Sequence, residues 1–445
     1  MLLASLGSSI ANIALPTLIQ AFRASFQQAQ WIVLAYLLSI TALIVSAGRL
    51  GDLIGRRRLL LGGILLFTAG SASSALAPTL AMLVAARAVQ GLGAAVMMAL
   101  TMAFVAGTVP KERTGRAMGL LASMSSVGTA LGPTLGGVLI GVAGWPAIFL
   151  VHVPLGLLAW LLARRFLPAD PPATTTALAG FDVMGTVLLA LTLVAYALAT
   201  TLGQGRFGVP NMALLAAAAL GVALFIRSQA RTPAPLIRLE TFRQPGLSAG
   251  FAMSILVMTV LMAMLVVGPF HLSHALALSP AQVGVAMSAG PLIAALAGVP
   301  AGRAVDRFGP ARMTVAGLVT VGLGCVAVSA MPGHLGVSGF ICPMMAIAAG
   351  YALFQSANNT AVMREVSSDR RGVVSGMLGL SRSLGSITGA AAMGAVFAAR
   401  AASAGGGPEG VGAGVRFTFG VAAGLVLIAL AIAVVAGRQR TSPGQ

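Results

Sequence analysis

Residues 47–58 read AGRLGDLIGRRR, and residues 301–312 read AGRAVDRFGPAR. Gly48, Arg49, Asp52, Gly55 and Arg58 recur 254 positions later as Gly302, Arg303, Asp306, Gly309 and Arg312. A second pair keeps nearly the same spacing. ERTGRAMG from Glu112 answers to DRRGVVSG from Asp369, and Gly119, Gly128, Gly132 and Gly137 return 257 positions on as Gly376, Gly385, Gly389 and Gly394. Two blocks sharing one offset predict two related halves that run in the same direction.

The chain around these blocks is apolar. It is 58% hydrophobic and 8% charged, with a mean hydropathy of +0.96, whereas a soluble domain is about a quarter charged. A membrane helix takes about 20 mostly apolar residues. Fourteen runs qualify: 2–22, 31–50, 59–77, 80–107, 117–141, 145–165, 181–201, 211–229, 248–270, 282–302, 312–331, 336–360, 373–399 and 415–437. The basic residues test this count. Of the 27 Lys and Arg, 21 fall after even-numbered runs or in the C-terminal tail. Arg23, Arg206, Arg400 and Arg416 fall on the other side, and Arg87 and Arg382 lie inside runs. Such a bias predicts that both termini and the Arg56–Arg58 loop face the cytoplasm of a bacterial inner (plasma) membrane. A count shifted by one helix would spoil the alternation.

The expected fold is therefore an all-α membrane protein. Two six-helix bundles in parallel repeat occupy residues 1–165 and 248–437. Two inserted helices with cytoplasmic linkers fill 166–247, and a cytoplasmic tail covers 438–445. Stretches 166–180, 230–247 and 403–414 lack helix character. The first run has no basic leader or small-residue cleavage site, so it reads as an uncleaved helix, not a signal peptide. The formal charge of +18 does not point to nucleic acid, because the basic residues sit in short clusters between apolar runs. Cys325 and Cys342 lie in apolar segments and read as small packing residues. Parallel repeats about an axis along the membrane normal are a transporter architecture, with the substrate expected near mid-membrane.

At this point the chain resembles the major facilitator superfamily, and within it the fourteen-helix drug:proton antiporters. GRLGDLIGRRR is similar to that superfamily's signature between its second and third helices. The resemblance implies a conformational latch built from Gly48, Asp52, Gly55, Arg56 and Arg57, with a second copy at Gly302, Asp306 and Gly309. Leu53 departs from the pattern, since many relatives place a basic residue there. GTALGPTLGG, residues 128–137, resembles the fifth-helix pattern typical of exporters. There Gly128, Gly132, Gly136 and Gly137 permit close helix approach, and Pro133 interrupts the hydrogen-bond ladder. Arg87 and Gln90 resemble a fourth-helix pair that the family turns inward. Arg382 resembles an R-x-x-G of fourteen-helix relatives.

Polar residues inside apolar runs are the expected substrate cavity. Ser5, Ser8, Ser9 and Asn12 share one side of the first helix, and Gln355, Asn358 and Asn359 form a second stripe. Each stripe reads either as cavity lining or as helix–helix contact. NIALP, residues 12–16, matches the end of a first-helix pattern whose aspartate falls here at Gly7. None of the nine acids lies within an apolar run away from its ends, so a multiply charged cation is a poor substrate. A neutral or anionic compound is the expected one, with Arg87 favouring negative charge. His152 is the candidate proton carrier, although a backbone carbonyl could equally satisfy it. His271 and His274 read as surface residues without a third metal ligand.

The resemblance implies secondary transport of a small molecule, export by alternating access with proton antiport, in contact with membrane lipid. An uncoupled facilitator or uniporter, or an importer of a small metabolite, fits the same fold. No phosphate-binding loop, nucleophile motif or metal motif appears. ATP, nucleic acid, cofactor and metal are therefore not expected. A membrane enzyme or receptor is the disfavoured alternative.

Overall fold

The computed structural model describes residues 1–108, 111–170, 182–202, 208–232, 235–236, 244–331, 335–366 and 371–441. Fourteen helices among the described residues are long and apolar enough to cross a membrane. In chain order they are α1 Leu2–Phe22, α2 Phe26–Ile54, α3 Arg56–Ala75, α4 Leu80–Thr108, α5 Lys111–Ala143, α6 Ala147–Phe166, α7 Val183–Thr201 and α8 Val209–Arg231. Then follow α9 Pro245–Ala275, α10 Pro280–Phe308, α11 Pro310–Ser329, α12 Gly336–Arg364, α13 Val374–Ser403 and α14 Gly407–Thr441. The hydropathy pattern predicts each of them. Two details lie beyond its reach: α9 ends in a π-helical turn, His271–Ala275, and α13 contains another, Gly389–Met393.

Contacts divide the chain into two units. One is Met1–Gly203 with Phe207–Ile237, and the other is Arg238–Gln445 with Gln204–Arg206. The same packing scheme recurs inside each. In the first, α1 packs on α5, α2 on α4 and α3 on both α4 and α6. In the second, α9 packs on α13, α10 on α12 and α11 on both α12 and α14.

The repeat extends to single hydrogen bonds. Ser25 and Gln28 form a capping box at the start of α2, the Ser25 amide donating to Gln28 Oε1 at 2.8 Å. Ser279 and Gln282, 254 positions on, do the same for α10 at 2.9 Å. Each box satisfies two amides that a helix start would otherwise leave bare. Ser9 Oγ donates to the Gly128 carbonyl at 3.3 Å, and Thr259 Oγ1 to the Gly385 carbonyl at 3.2 Å.

Lipid tails are as apolar as leucine, so helices in a bilayer associate through close packing. Small residues make that possible at matching places. A Cβ added to Gly93 would lie 2.6 Å from the Gly63 carbonyl oxygen, and one added to Gly350 would lie 2.9 Å from that of Gly317. These are the α3–α4 and α11–α12 seams. Central α1 and α9 are buried over most of their length, while α8 and α14 turn residues such as Leu220, Ile226, Leu427 and Val435 outward. Apolar side chains facing out are what a bilayer solvent requires.

Helices α7 and α8 pack on each other, and α7 packs on α2. Ser46 and Thr186 hydroxyls meet at 2.6 Å, and Trp31 Nε1 donates to Thr201 Oγ1 at 3.1 Å. Asp182 caps α7, accepting from the Gly185 amide at 2.7 Å and from Gln229 Nε2 of α8 at 2.6 Å.

The α3–α4 seam is open to test. Gly93→Val forces a side chain against the α3 backbone and should destabilise the protein by about 1–3 kcal/mol. Gly62→Ala, where a Cβ meets nothing within 4 Å, should be neutral or slightly stabilising. Melting temperatures in detergent check both.

Candidate functional site

Arg87 lies two turns into α4 and is completely buried. Its Nε donates to the Ile32 carbonyl at 3.1 Å, its Nη2 to the Gly7 carbonyl at 3.0 Å, and its Nη1 to Gln90 Oε1. Its guanidinium carbon stands 4.2 Å from the centre of the Tyr36 ring. Gln90 Nε2 continues to Ser71 Oγ at 2.7 Å, and Tyr36 Oη donates to the Ala4 carbonyl at 2.7 Å. One planar cation thus ties α1, α2 and α4 together and reaches α3 through Gln90. Guanidinium suits this because its donors form a rigid fork and it is weakly hydrated. A desolvated cation–π contact adds about 2 kcal/mol.

Among the described residues no carboxylate bonds to this cation. At the first-helix position where the resemblance places aspartate, Gly7 offers only its carbonyl. A Cβ there would lie 3.2 Å from Tyr36 Oη and 3.3 Å from Phe67 Cζ. Tyr36 and Phe67 occupy the room that an acid would need. In this state Arg87 and Gln90 present no surface to a cavity, because the helix packing closes over both.

His152 is also fully buried. Its Nδ1 lies 3.0 Å from the Ile148 carbonyl, and Phe67 meets its ring edge-on at 5.5 Å. Its Nε2 has no hydrogen-bond partner among the described residues.

The polar stripe of α1 divides. Ser5 Oγ bonds Ser125 Oγ of α5 at 2.6 Å. A Cβ on Gly128 or Gly132 would collide with Leu2 or Ser9, and one on Gly136 with Ile10. Ser5 and Ser9 therefore serve the α1–α5 contact, against the face that Gly128, Gly132 and Gly136 keep flat. Pro133 and Gly137 are buried on α5 as well. Ser8 is half-buried, and its carbonyl accepts from Asn12 Nδ2 at 3.2 Å. Asn12 Oδ1 is buried without a partner.

In the second unit, Asn358 Nδ2 donates to Ser254 Oγ at 2.9 Å and to the Gly250 carbonyl at 3.1 Å, joining α12 to α9. Gln355 Nε2 donates to Tyr351 Oη at 2.8 Å. Asn359 and Arg382 are half-buried. An apolar cavity of about 330 Å³ lies within the first unit. It is lined by Leu60, Ile64, Met97, Met124 and Ala159, with Thr101 contributing a hydroxyl.

The repeated loop carries a contact that its own residues do not reveal. Asp170 reaches back to the start of α3, where its Oδ1 accepts from the Arg57 amide at 2.8 Å and its Oδ2 from the Arg58 amide at 2.9 Å. Gly55 makes room: its φ is +102°, and a Cβ would lie 2.5 Å from Asp170 Oδ2. A carboxylate here meets bare amides and the positive end of α3 together. Arg57 also donates through Nη2 to the Arg164 carbonyl, and Arg56 Nη1 to the Ala103 carbonyl at 3.2 Å. In the second copy, Asp306 is exposed, and Gly302 and Gly309 have open space beside them. Gly48 is likewise open. The Asp52 side chain lies outside the described residues, as do that of Glu112 and all of Glu240 and Asp369.

A fourteen-helix chain with this internal repeat can be compared with known proteins. The model of the Major Facilitator Superfamily matches residues 1–271 and 247–445. The chain belongs to the major facilitator superfamily. It is 33% identical over 393 residues to "Uncharacterized transporter YebQ" of Escherichia coli, covering 87% of this chain and 85% of that protein. It is 32% identical over 397 residues to "Multidrug resistance protein Stp" of Mycobacterium tuberculosis, covering 88% and 73%. Among solved structures, a bacterial homologue of the human lysosomal transporter Spinster, inward-facing and unoccupied, superposes with a TM-score of 0.72 at 15% identity. That match covers 98% of this chain and 94% of the other and concerns the fold. The superfamily member is a multi-pass membrane transporter, not an enzyme.

Two surface and packing expectations are corrected. His274 is exposed, but His271 is buried beneath the Phe340 ring, whose centre lies 5.2 Å away. The chain continues past the end of the apolar run through the π turn, which folds His271 inward. Cys325 is buried, whereas Cys342 is exposed on α12. Sequence reading missed Asp170 and Tyr36. A tyrosine is one of three in the chain, and a hydroxyl in an apolar run was the available signal. Asp170, more than a hundred residues from α3, gave none.

Two substitutions probe these contacts. Arg87→Lys should fail to replace Arg87, because one ammonium cannot reach two carbonyls and a glutamine in fork geometry. Orphaned buried acceptors cost about 1–3 kcal/mol each, so the melting temperature should fall clearly. Asp170→Ala should cost about 0.5–2 kcal/mol, as loss of a cap does, and proteolysis of the α2–α3 connection should quicken.

Proposed function

We propose that this transporter exports small, largely apolar, neutral or anionic compounds from the bacterial cytoplasm. The observation that carries the reading is the placement of the acids. Asp170 and Asp182 bind helix starts, Asp52 and Asp306 fall in last turns, Glu112 and Glu409 in first turns, Glu365 follows α12, and Glu240 and Asp369 lie between helices. A cationic drug would find no countercharge within the apolar spans. The apolar cavity of the first unit fits the same substrate class, and ligand pockets are mostly apolar with few polar groups. The fifth-helix glycine pattern and relatives such as the multidrug resistance protein support export.

The substrate contacts in this reading are Ser8, Asn12, Gln355, Asn359 and Arg382, with Arg87, Gln90, Ser5, Ser9 and Asn358 holding the helices that carry them. The mechanism is alternating access by rocking of two repeat-related bundles, 1–165 and 248–437. Residues 166–247 are an insertion, and 438–445 are a cytoplasmic tail. Gly48, Asp52, Gly55, Arg56 and Arg57, with Gly302, Asp306 and Gly309, act as the hinge and latch. Charge bias supports cytoplasmic termini in the inner membrane. Protons drive export, with His152 as one carrier because its Nε2 lies buried without a partner. Uncoupled transport is the second reading, favoured by the lack of an embedded acid.

Cells expressing the protein should extrude Nile red, a neutral dye, faster than control cells and gain no protection from divalent cationic biocides. Collapse of the pH gradient by nigericin should abolish extrusion. Protection against divalent cations would overturn the substrate class. Extrusion indifferent to nigericin would favour the uncoupled reading.

A further inference from the structure

The end of α9 holds two features that simple packing does not explain. His271 is 4% exposed, and neither ring nitrogen has a hydrogen-bond partner among the described residues. An imidazole always carries at least one donor, and when neutral also an acceptor. Leaving such a group buried and unmet is destabilising. A phenylalanine or leucine would fill the place without that cost. The backbone is also irregular. Residues 271–275 form a π turn, closed by the Leu276 amide donating to the His271 carbonyl at 3.1 Å. Such turns concentrate at functional sites. Two residues past it, Ala277 has a φ of +53°, the left-handed turn that ends the helix, as Arg23 at +49° ends α1 at the equivalent place of the repeat.

The surroundings are aromatic and apolar. Phe340 of α12 covers the His271 ring, and Phe419 of α14 meets Phe340 edge-on at 6.4 Å. Met287 of α10 packs at Gly268, one turn before. At the same end of these helices lie Arg416 and Glu409 on α14, Arg400 on α13, and His274 on the same turn, all exposed. No carboxylate contacts the ring among the described residues.

We propose that His271 is a proton-binding site of this transporter, loaded when the π turn at the end of α9 rearranges and admits water. The nitrogen lone pair takes a proton from hydronium, leaving water, and the imidazolium is hydrated in that wetted state. The proton passes back to water as the turn closes into the dry arrangement seen here, in which the ring is neutral. Dry and unpartnered in one state and wetted in the other, the ring couples proton occupancy to conformation. This deepens the proton-driven export reading and uses a different residue from His152.

The test uses the full chain in liposomes. Proton uptake on acidification from pH 8 to pH 5 is read with an indicator dye, with no substrate present. Accumulation of Nile red is then measured with and without an imposed pH gradient. His271→Gln should take up about one proton fewer per chain, since it removes one titrating group. It should lose gradient-driven Nile red accumulation at least tenfold and keep exchange at equal pH within twofold. His271→Phe, which loses no hydrogen bond, should melt no lower than wild type and repeat both losses, which covers a poorly folding Gln variant. Proton uptake equal to wild type in both variants would overturn the proposal, as would gradient-driven accumulation that survives in both. Should wild type move no Nile red while the proton difference persists, the site stands and the substrate reading falls.

Discussion

A guanidinium sealed among helices, bonded to no carboxylate among the described residues, organises the first unit. A bare charge in such a place is prohibitively costly, so every contact of Arg87 has to offset its lost hydration. Two backbone carbonyls, the Gln90 amide and the face of Tyr36 do so. Those groups lie on three helices, so none can move far without uncovering the cation. The constraint runs outward from there. Gly7 must stay small because Tyr36 and Phe67 press on it. Phe67, in turn, meets His152. Arg87, Gln90, Ser71 and Tyr36 are thus bonded together, and Phe67 links that group to His152.

The second unit performs the same packing without the cation. Applying the repeat offsets, Arg87 corresponds to Met344 and Tyr36 to Gly290. Met344 is fully buried, and a Cβ on Gly290 would lie 3.6 Å from its Cγ. A flexible thioether fills the space that the guanidinium fills in the first unit. Polar contact shifts along the bundle, to Asn358 with Ser254 and the Gly250 carbonyl. One fold thus carries two chemistries. The first unit is stiffened by an electrostatic hub, while the second is apolar at the equivalent point and carries a π turn at its α9 end.

How much of this was legible follows from the kind of interaction involved. Fourteen helices were readable because a bilayer demands long apolar runs, and demand of that sort is local in sequence. The repeat was readable because Gly48 and Asp52 have partners at fixed spacing. The roles of Ser5 and Ser9 were not, since a hydroxyl beside a glycine stripe and a hydroxyl beside a substrate look alike in one dimension. Nor was Asp170. Its value depends on α6 delivering it to two amides of α3, and helix packing alone sets that delivery. The burial of His271 was hidden by a π turn, which shifts the helical register by a residue after an otherwise ordinary apolar run.

The distribution of acids ties these threads together. A carboxylate in mid-membrane would need a partner cation, and Arg87 is the nearest candidate in the first unit. An acid at position 7 would pair with Arg87 and so remove the need for Tyr36 to shield it. Instead Tyr36 and Phe67 hold that space, and Asp170 and Asp182 sit at helix starts, where bare amides donate to them. Asp170 and Asp182 each draw two donors there. Caps of this kind stabilise the ends of the helices. Among the described residues the two buried imidazoles, His152 and His271, each keep a ring nitrogen without a hydrogen-bond partner, and a group that is neutral when empty can sit in such an interior where an ionised carboxylate would need a partner.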